Sequence, residues 1–165
     1  MTVTDIDRDL EACSLAVTSE FDAAPDAVWQ LWADPRRLER WWGPPTYPAT
    51  FVEHDMRPGG VATYYMTSPE GDRYGGWWKF LEVDAPRSIL LEDGFADEHG
   101  TPNDELPVTT TRVEVVARDG GGTTMRIRST FPSTEAMQQM IEMGMEEGLA
   151  AAMGQIDGIL AEIVA

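Results

Sequence analysis

Few residues in this chain could do covalent or metal chemistry. There are two histidines, His54 and His99, and one cysteine, Cys13. His54 stands between Glu53 and Asp55 in a stretch with strand-like alternation. Neighbouring strand residues point to opposite faces, so these three cannot form one acid–base or metal-binding cluster, and a strand-packing histidine is expected. His99 sits in an acidic stretch with Asp97, Glu98 and Asp104, but the spacing of a metal site is missing. Cys13 has no second cysteine and no paired histidine, so it reads as a buried structural thiol in a strand. There is no GxSxG, phosphate loop or dinucleotide fingerprint, and hence no cofactor is expected. Gly120-Gly121-Gly122 precedes no helix and reads as a hairpin turn. The acid–base candidates that remain are tyrosines, Tyr64 among them, and Glu142. The chemistry on offer is therefore mainly non-covalent: many aromatic and apolar side chains that could enclose a small molecule.

Composition narrows the class. At 165 residues the chain suits one domain, large enough to bury a core without disulfides. The formal net charge is −17, with 29 acids against 12 bases, and Lys79 is the one lysine. Such a surface repels phosphate backbones, so no nucleic-acid partner is expected. The acids are spread along the chain, with one denser patch of Glu92, Asp93, Asp97, Glu98, Asp104 and Glu105. The N-terminal segment lacks a basic region followed by an apolar run, and no apolar stretch is long enough to span a bilayer. A cytoplasmic protein without membrane insertion is the expectation.

The elements that must position these side chains follow from periodicity. Residues 1–9 are polar and acidic and read as a disordered tail, with the domain over 10–165. Leu10–Phe21 alternates as a half-buried strand. Pro25 and then Asp34-Pro35 each open a short helix, and Gly43-Pro44-Pro45 ends the second. The period then switches to two. Strands are expected over Thr50–Met56, Val61–Thr67, Tyr74–Val83, Ser88–Phe95, Val108–Arg118 and Thr123–Phe131, with a polar loop over 96–107. Trp77 and Trp78 cannot both face inward without a bulge, which leaves that strand's register open. The short connections imply an antiparallel meander with one face to bury.

Ser133–Ala165 is the one long element left to cover that face. Met137, Ile141, Met145, Leu149, Ala152, Ile156, Ile159, Leu160 and Ile163 recur at helical steps, so one long helix is expected. Its first half is rich in flexible methionine, and Gly144 and Gly148 lie near the same face. A buried face with soft side chains and gaps leaves room for something. Leucine at Gly144 is expected to reduce that room more than it harms folding.

The motifs resemble those of a known family. They are Ala24-Pro25, Trp41-Trp42-Gly43-Pro44, Asp55 with Arg57-Pro58-Gly59-Gly60, Ser68-Pro69-Glu70-Gly71, Gly76 with Glu82-Val83 and Pro86, Gly120–Thr124, and Glu147-Gly148. In this order they resemble the SRPBCC superfamily (START-like, helix-grip), and within it the activator of Hsp90 ATPase homologue-like proteins. The resemblance implies an α+β helix-grip fold: a seven-stranded curved antiparallel sheet around a long C-terminal helix, with two short helices after the first strand. One departure is Leu149, where the family commonly has Trp after the helix glycine.

That fold places the candidate ligand-binding residues. Tyr64 and Met66, Trp78 and Phe80, Leu91 and Phe95, Val113, Met125 and Ile127 alternate onto the concave face. Met137, Ile141, Met145 and Leu149 face them from the helix, Trp41 and Trp42 stand at the rim, and Gln138 and Glu142 could add polar groups at the mouth. The leading expectation is non-catalytic binding of a small hydrophobic or aromatic molecule between sheet and helix. The alternatives are an enzyme of cyclase or aromatase type acting on a hydrophobic substrate, and a protein-interaction role such as modulation of a Hsp90-type chaperone. A homodimer is a further option that no residue pattern singles out.

Overall fold

The computed structural model describes residues 3–164, with side chains up to Glu162. Among the described residues eight strands and five helices follow one another: β1 (Val3–Asp9), β2 (Ser14–Phe21), α1 (Pro25–Ala33), α2 (Pro35–Trp41), β3 (Ala49–His54), β4 (Val61–Thr67), β5 (Arg73–Asp84), β6 (Ser88–Ala96), β7 (Thr109–Ala117), β8 (Thr123–Thr130), α3 (Thr134–Glu142), α4 (Met145–Met153) and α5 (Ile156–Val164). The strands form one antiparallel sheet in the order β1-β2-β8-β7-β6-β5-β4-β3. This is the α+β helix-grip arrangement, with two corrections.

The first correction is an eighth strand. Residues expected as a disordered tail form β1, which pairs with β2 through Ile6↔Val17 and Arg8↔Leu15. Its side chains are almost all exposed, so it has no apolar alternation to read. Backbone ladder bonds hold it, and Arg8 pairs with Glu146 of α4. Residues 1 and 2 of the expected tail lie outside the described residues. The turn between β1 and β2 also takes Cys13 out of the expected strand: it sits at φ +52° and is half-buried.

The second correction concerns the C-terminal helix. It is three helical segments, not one. Gly144 adopts φ +86°, the left-handed region, between α3 and α4. A non-glycine residue there costs about 1–2 kcal/mol, so glycine is the residue that permits the break. A second interruption at Gly154 and Gln155 precedes α5. There the Gln155 side chain donates to the carbonyl of Gly43 at 2.7 Å, tying the interruption to the end of α2. Ile163, expected in the apolar stripe, lies beyond the described side chains.

The start of α3 is as the sequence implies. Ser133 caps it by accepting the Ala136 N–H at 3.0 Å, and Glu135 occupies the first turn. Asp34 caps α2 in the same way through Arg36 N–H, with Pro35 at the first helical position.

The core divides into two clusters. The larger joins Trp32, Trp41, Trp78, Phe80, Ile89 and Leu91 to Met153, Ile156, Ile159 and Leu160 at the C-terminal end. The smaller joins Leu15 and Phe131 to Ala136, Met137 and Met140 of α3. The helix break at Gly144 falls between the elements that supply them.

A cavity at the seam of two cores

A cavity of about 290 Å³ opens where the two clusters part. Its sheet wall comes from Tyr64 and Met66 of β4, Asp93, Gly94 and Phe95 of β6, Thr109 and Thr111 of β7, and Ile127 and Ser129 of β8. Its helix wall comes from Met140, Met143, Gly144, Met145, Gly148 and Leu149, with Trp42 and Pro44 at one side. The size is near the lower end of ordinary small-molecule sites, and the lining is mostly apolar with a few polar groups. No residue fills the space beside Gly148: an added Cβ there would meet nothing within 4 Å.

The polar groups are concentrated. Asp93 is the one carboxylate on the wall. Pairing opposite Trp78 on one side and Thr109 on the other puts it on the concave face. Burial pushes its carboxyl up to about 7, while the Tyr64 hydroxyl and the Trp78 indole N–H partly offset that rise. Burial, and then the Asp93 charge, push the Tyr64 hydroxyl well above its ordinary value. The indole groups of Trp42 and Trp78 act on the same hydroxyl in the opposite sense. These indoles are near enough to act electrostatically, yet neither Nε1–H closes a hydrogen bond, and both nitrogens are buried. A buried donor without an acceptor costs about 1–3 kcal/mol, so this cluster is polar capacity that the protein itself leaves unused.

One glycine makes room for the cluster, and a second performs the same service on the opposite face. Tyr64 pairs opposite Gly76, and a Cβ at Gly76 would overlap the Tyr64 ring. The ring therefore lies over bare backbone. On the other face Trp77 pairs opposite Gly94, and its indole covers that glycine in the same manner. This settles the open register: Trp78 points in and is 1% exposed, Trp77 points out, and the bulge comes later, between Phe80 and Glu82.

The expected ligand-binding residues separate into three groups. Trp42, Tyr64, Met66, Phe95, Ile127, Met145 and Leu149 line the cavity. Phe80, Leu91, Val113, Met125, Trp78 and Trp41 are packed in the larger core, and Met137 in the smaller. Trp41 donates its Nε1–H to the Leu31 carbonyl at 3.0 Å, which locks the end of α2 onto α1. Ile141, Gln138 and Glu142 face a separate groove beside Arg8, Asp9, Leu10 and Glu11, so Gln138 and Glu142 are not at the cavity mouth. The break at Gly144 changes the helical phase on which that expectation rested.

Asp93 is the residue that sequence reasoning missed. It reads as part of the acidic patch, yet it stands two residues after Leu91 and two before Phe95 in one alternating strand. That inward phase was the available signal. The other candidates for chemistry are structural. His54 Nε2 meets the Trp32 carbonyl at 2.9 Å, and burial lowers its proton affinity. His99 is exposed beside Glu98, and Asp97 accepts the backbone N–H groups of His99 and Thr101. Among the described residues no three His, Cys, Asp or Glu side chains come together to hold a metal ion. No described helix is long and apolar enough to cross a membrane.

The family model described as Activator of Hsp90 ATPase homolog 1-like protein matches residues 22–161. The chain belongs to this family. No curated protein matches it. Among solved structures, a protein from Arthrobacter aurescens is 53% identical, with a TM-score of 0.93 over 98% of this chain and 93% of its own. Protein Ms6760 from Mycobacterium smegmatis is 48% identical, with a TM-score of 0.89 over 96% of each chain. The AHSA1 protein from Silicibacter pomeroyi is 22% identical, with a TM-score of 0.67 over 90% of this chain and 97% of its own, a likeness of fold alone. The Activator of Hsp90 ATPase homolog 1-like fold accounts for the scaffold, and several of its motif residues meet at the cavity. Trp42 and Pro44 line one side, Gly76 seats Tyr64, and Gly148 leaves the open space opposite.

Proposed function

We propose that this chain binds a small apolar or aromatic molecule in the cavity between the sheet and the α3–α4 segment. The carrying observation is the cavity itself. It lies where the two core clusters stop short of each other, faced by methionines that can adapt to a guest. A ligand-binding fold is what the family membership supports; the class of ligand is our reading of the lining. The test is titration of the purified protein with naphthalene-sized aromatics, followed by tryptophan fluorescence and thermal melting. Ligand at 100 times its Kd should stabilise the protein by about 2.7 kcal/mol, a rise of about 5–10 °C in Tm. A flat melting temperature and unchanged fluorescence across such a series would refute the reading.

One observation favours a second reading, an acid–base enzyme acting on a hydrophobic substrate. Asp93 is a carboxyl inside the cavity whose pKa of about 7 suits proton transfer near neutral pH. Turnover of a hydrophobic ketone that is lost in Asp93→Asn, with binding retained, would favour catalysis over binding.

A further inference from the structure

We propose that the cavity selects neutral ligands carrying a hydroxyl or carbonyl oxygen, placed against Asp93 beside Tyr64, and discriminates against organic carboxylates. This rests on the ligand-binding reading above and names the ligand class.

The polar end of the cavity holds unused hydrogen-bonding capacity. The wall presents one carboxyl, Asp93, among methionines, aromatics and small residues. Behind it stand the Tyr64 hydroxyl and two buried indole N–H groups, of Trp42 and Trp78, that face Tyr64 and Asp93 without closing a hydrogen bond of ordinary geometry. Buried polar groups in folded proteins are rarely left in that state without a further role. Trp78 is 1% exposed and packed on all sides, so it cannot turn toward solvent to find one. A ligand hydroxyl entering from the cavity would donate to the ionised Asp93 carboxylate or accept from its protonated form, while a carbonyl oxygen would accept from the protonated form alone. Thr109, Thr111 and Ser129, each nearly fully buried, extend the polar strip along the same wall and offer partners to a second oxygen.

Charge decides the class. The lining holds no arginine, lysine or histidine. A ligand carboxylate would be buried in a poorly solvated space whose lining offers no cation to pair it, and it would be repelled whenever Asp93 is ionised. A neutral oxygen meets no such penalty. Tyr64 of β4 is the titratable group facing Asp93. Trp78 of β5, Thr109 of β7 and the methionines of α3 and α4 bring no charge to it.

The test compares 2-naphthol, 2-methylnaphthalene and 2-naphthoate, matched in shape, by calorimetric titration at pH 7. 2-Naphthol is expected to bind about tenfold more tightly than 2-methylnaphthalene, and 2-naphthoate more weakly than both. In Asp93→Leu the advantage of 2-naphthol should disappear while 2-methylnaphthalene still binds, and Asp93→Asn should recover most of the advantage. Tyr64→Phe, a milder change, should reduce it about threefold. Thermal melts establish that each variant is folded. Equal affinity for 2-naphthol and 2-methylnaphthalene in the wild-type protein overturns this inference and leaves the binding reading standing. So does tighter binding of 2-naphthoate. Failure of all three compounds to bind overturns both.

Discussion

The Tyr64 ring occupies the space a side chain at Gly76 would need. The contact holds Tyr64 beside Asp93, Trp42 and Trp78 and so positions the polar end of the cavity. Gly76→Ala should displace the ring. Overpacking of this kind costs about 1–3 kcal/mol, so a Tm loss of several degrees is expected. Changed tryptophan emission should accompany it, since Trp42 and Trp78 both lie near Tyr64. An unchanged melting curve and emission spectrum would show that the ring is not seated as described.

The helix glycines should behave differently from each other. Gly148 is within α4 and faces empty space, so Gly148→Leu places a side chain in the cavity with no backbone strain. It should abolish uptake of naphthalene-sized ligands while Tm stays the same or rises. Gly144 also lines the cavity, but at φ +86°. Gly144→Leu should lose about 1–2 kcal/mol by strain alone, contrary to the sequence expectation that it would act mainly on pocket volume. Ligand uptake undiminished by Gly148→Leu would place the binding site elsewhere.

Stability should depend on pH through Asp93. Its folded pKa of about 7 lies above its ordinary value of 3.8, so the folded state holds the proton more tightly. Its contribution is fully present below about pH 4 and is lost as pH rises through 7. Asp93→Asn removes the loss. The variant should be more stable than wild type at pH 8, by on the order of a few kcal/mol, and close to it at pH 4. His54 acts in the opposite sense. Burial lowers its folded pKa, so its contribution is lost as pH falls below its ordinary value of 6.5. The comparison of wild type with Asp93→Asn isolates the carboxyl. Denaturant melts at pH 4, 6 and 8 supply it, and a wild-type–variant difference that does not grow with pH would contradict a raised pKa at Asp93.

Much of the fold could be read from the chain. Alternation located the strands from β3 to β8 to within a few residues, and the pairs Pro25-Asp26 and Asp34-Pro35 opened the two short helices. What escaped was structure that leaves no apolar pattern. β1 is held by ladder bonds with its side chains in water. The first break in the C-terminal helix depends on one backbone angle at Gly144, while the apolar stripe runs on through it. The cavity was legible in outline and less so in detail. Alternation puts Leu91, Asp93 and Phe95 on one face, but Leu91 is core and Phe95 is wall. That division depends on how far each side chain lies from the seam between the clusters, a three-dimensional distance with no one-dimensional signature. Asp93 was read by its charge and grouped with its acidic neighbours, although its phase in the strand was that of the core.

The central claim is that the seam cavity holds a small oxygen-bearing ligand against Asp93. A crystal structure of the protein with 2-naphthol tests it most directly. The naphthalene ring should lie between Tyr64 and Leu149, with its hydroxyl within hydrogen-bond distance of the Asp93 carboxyl. Ligand density outside the cavity, or inside it with the hydroxyl turned toward the methionines of α3 and α4, would contradict it.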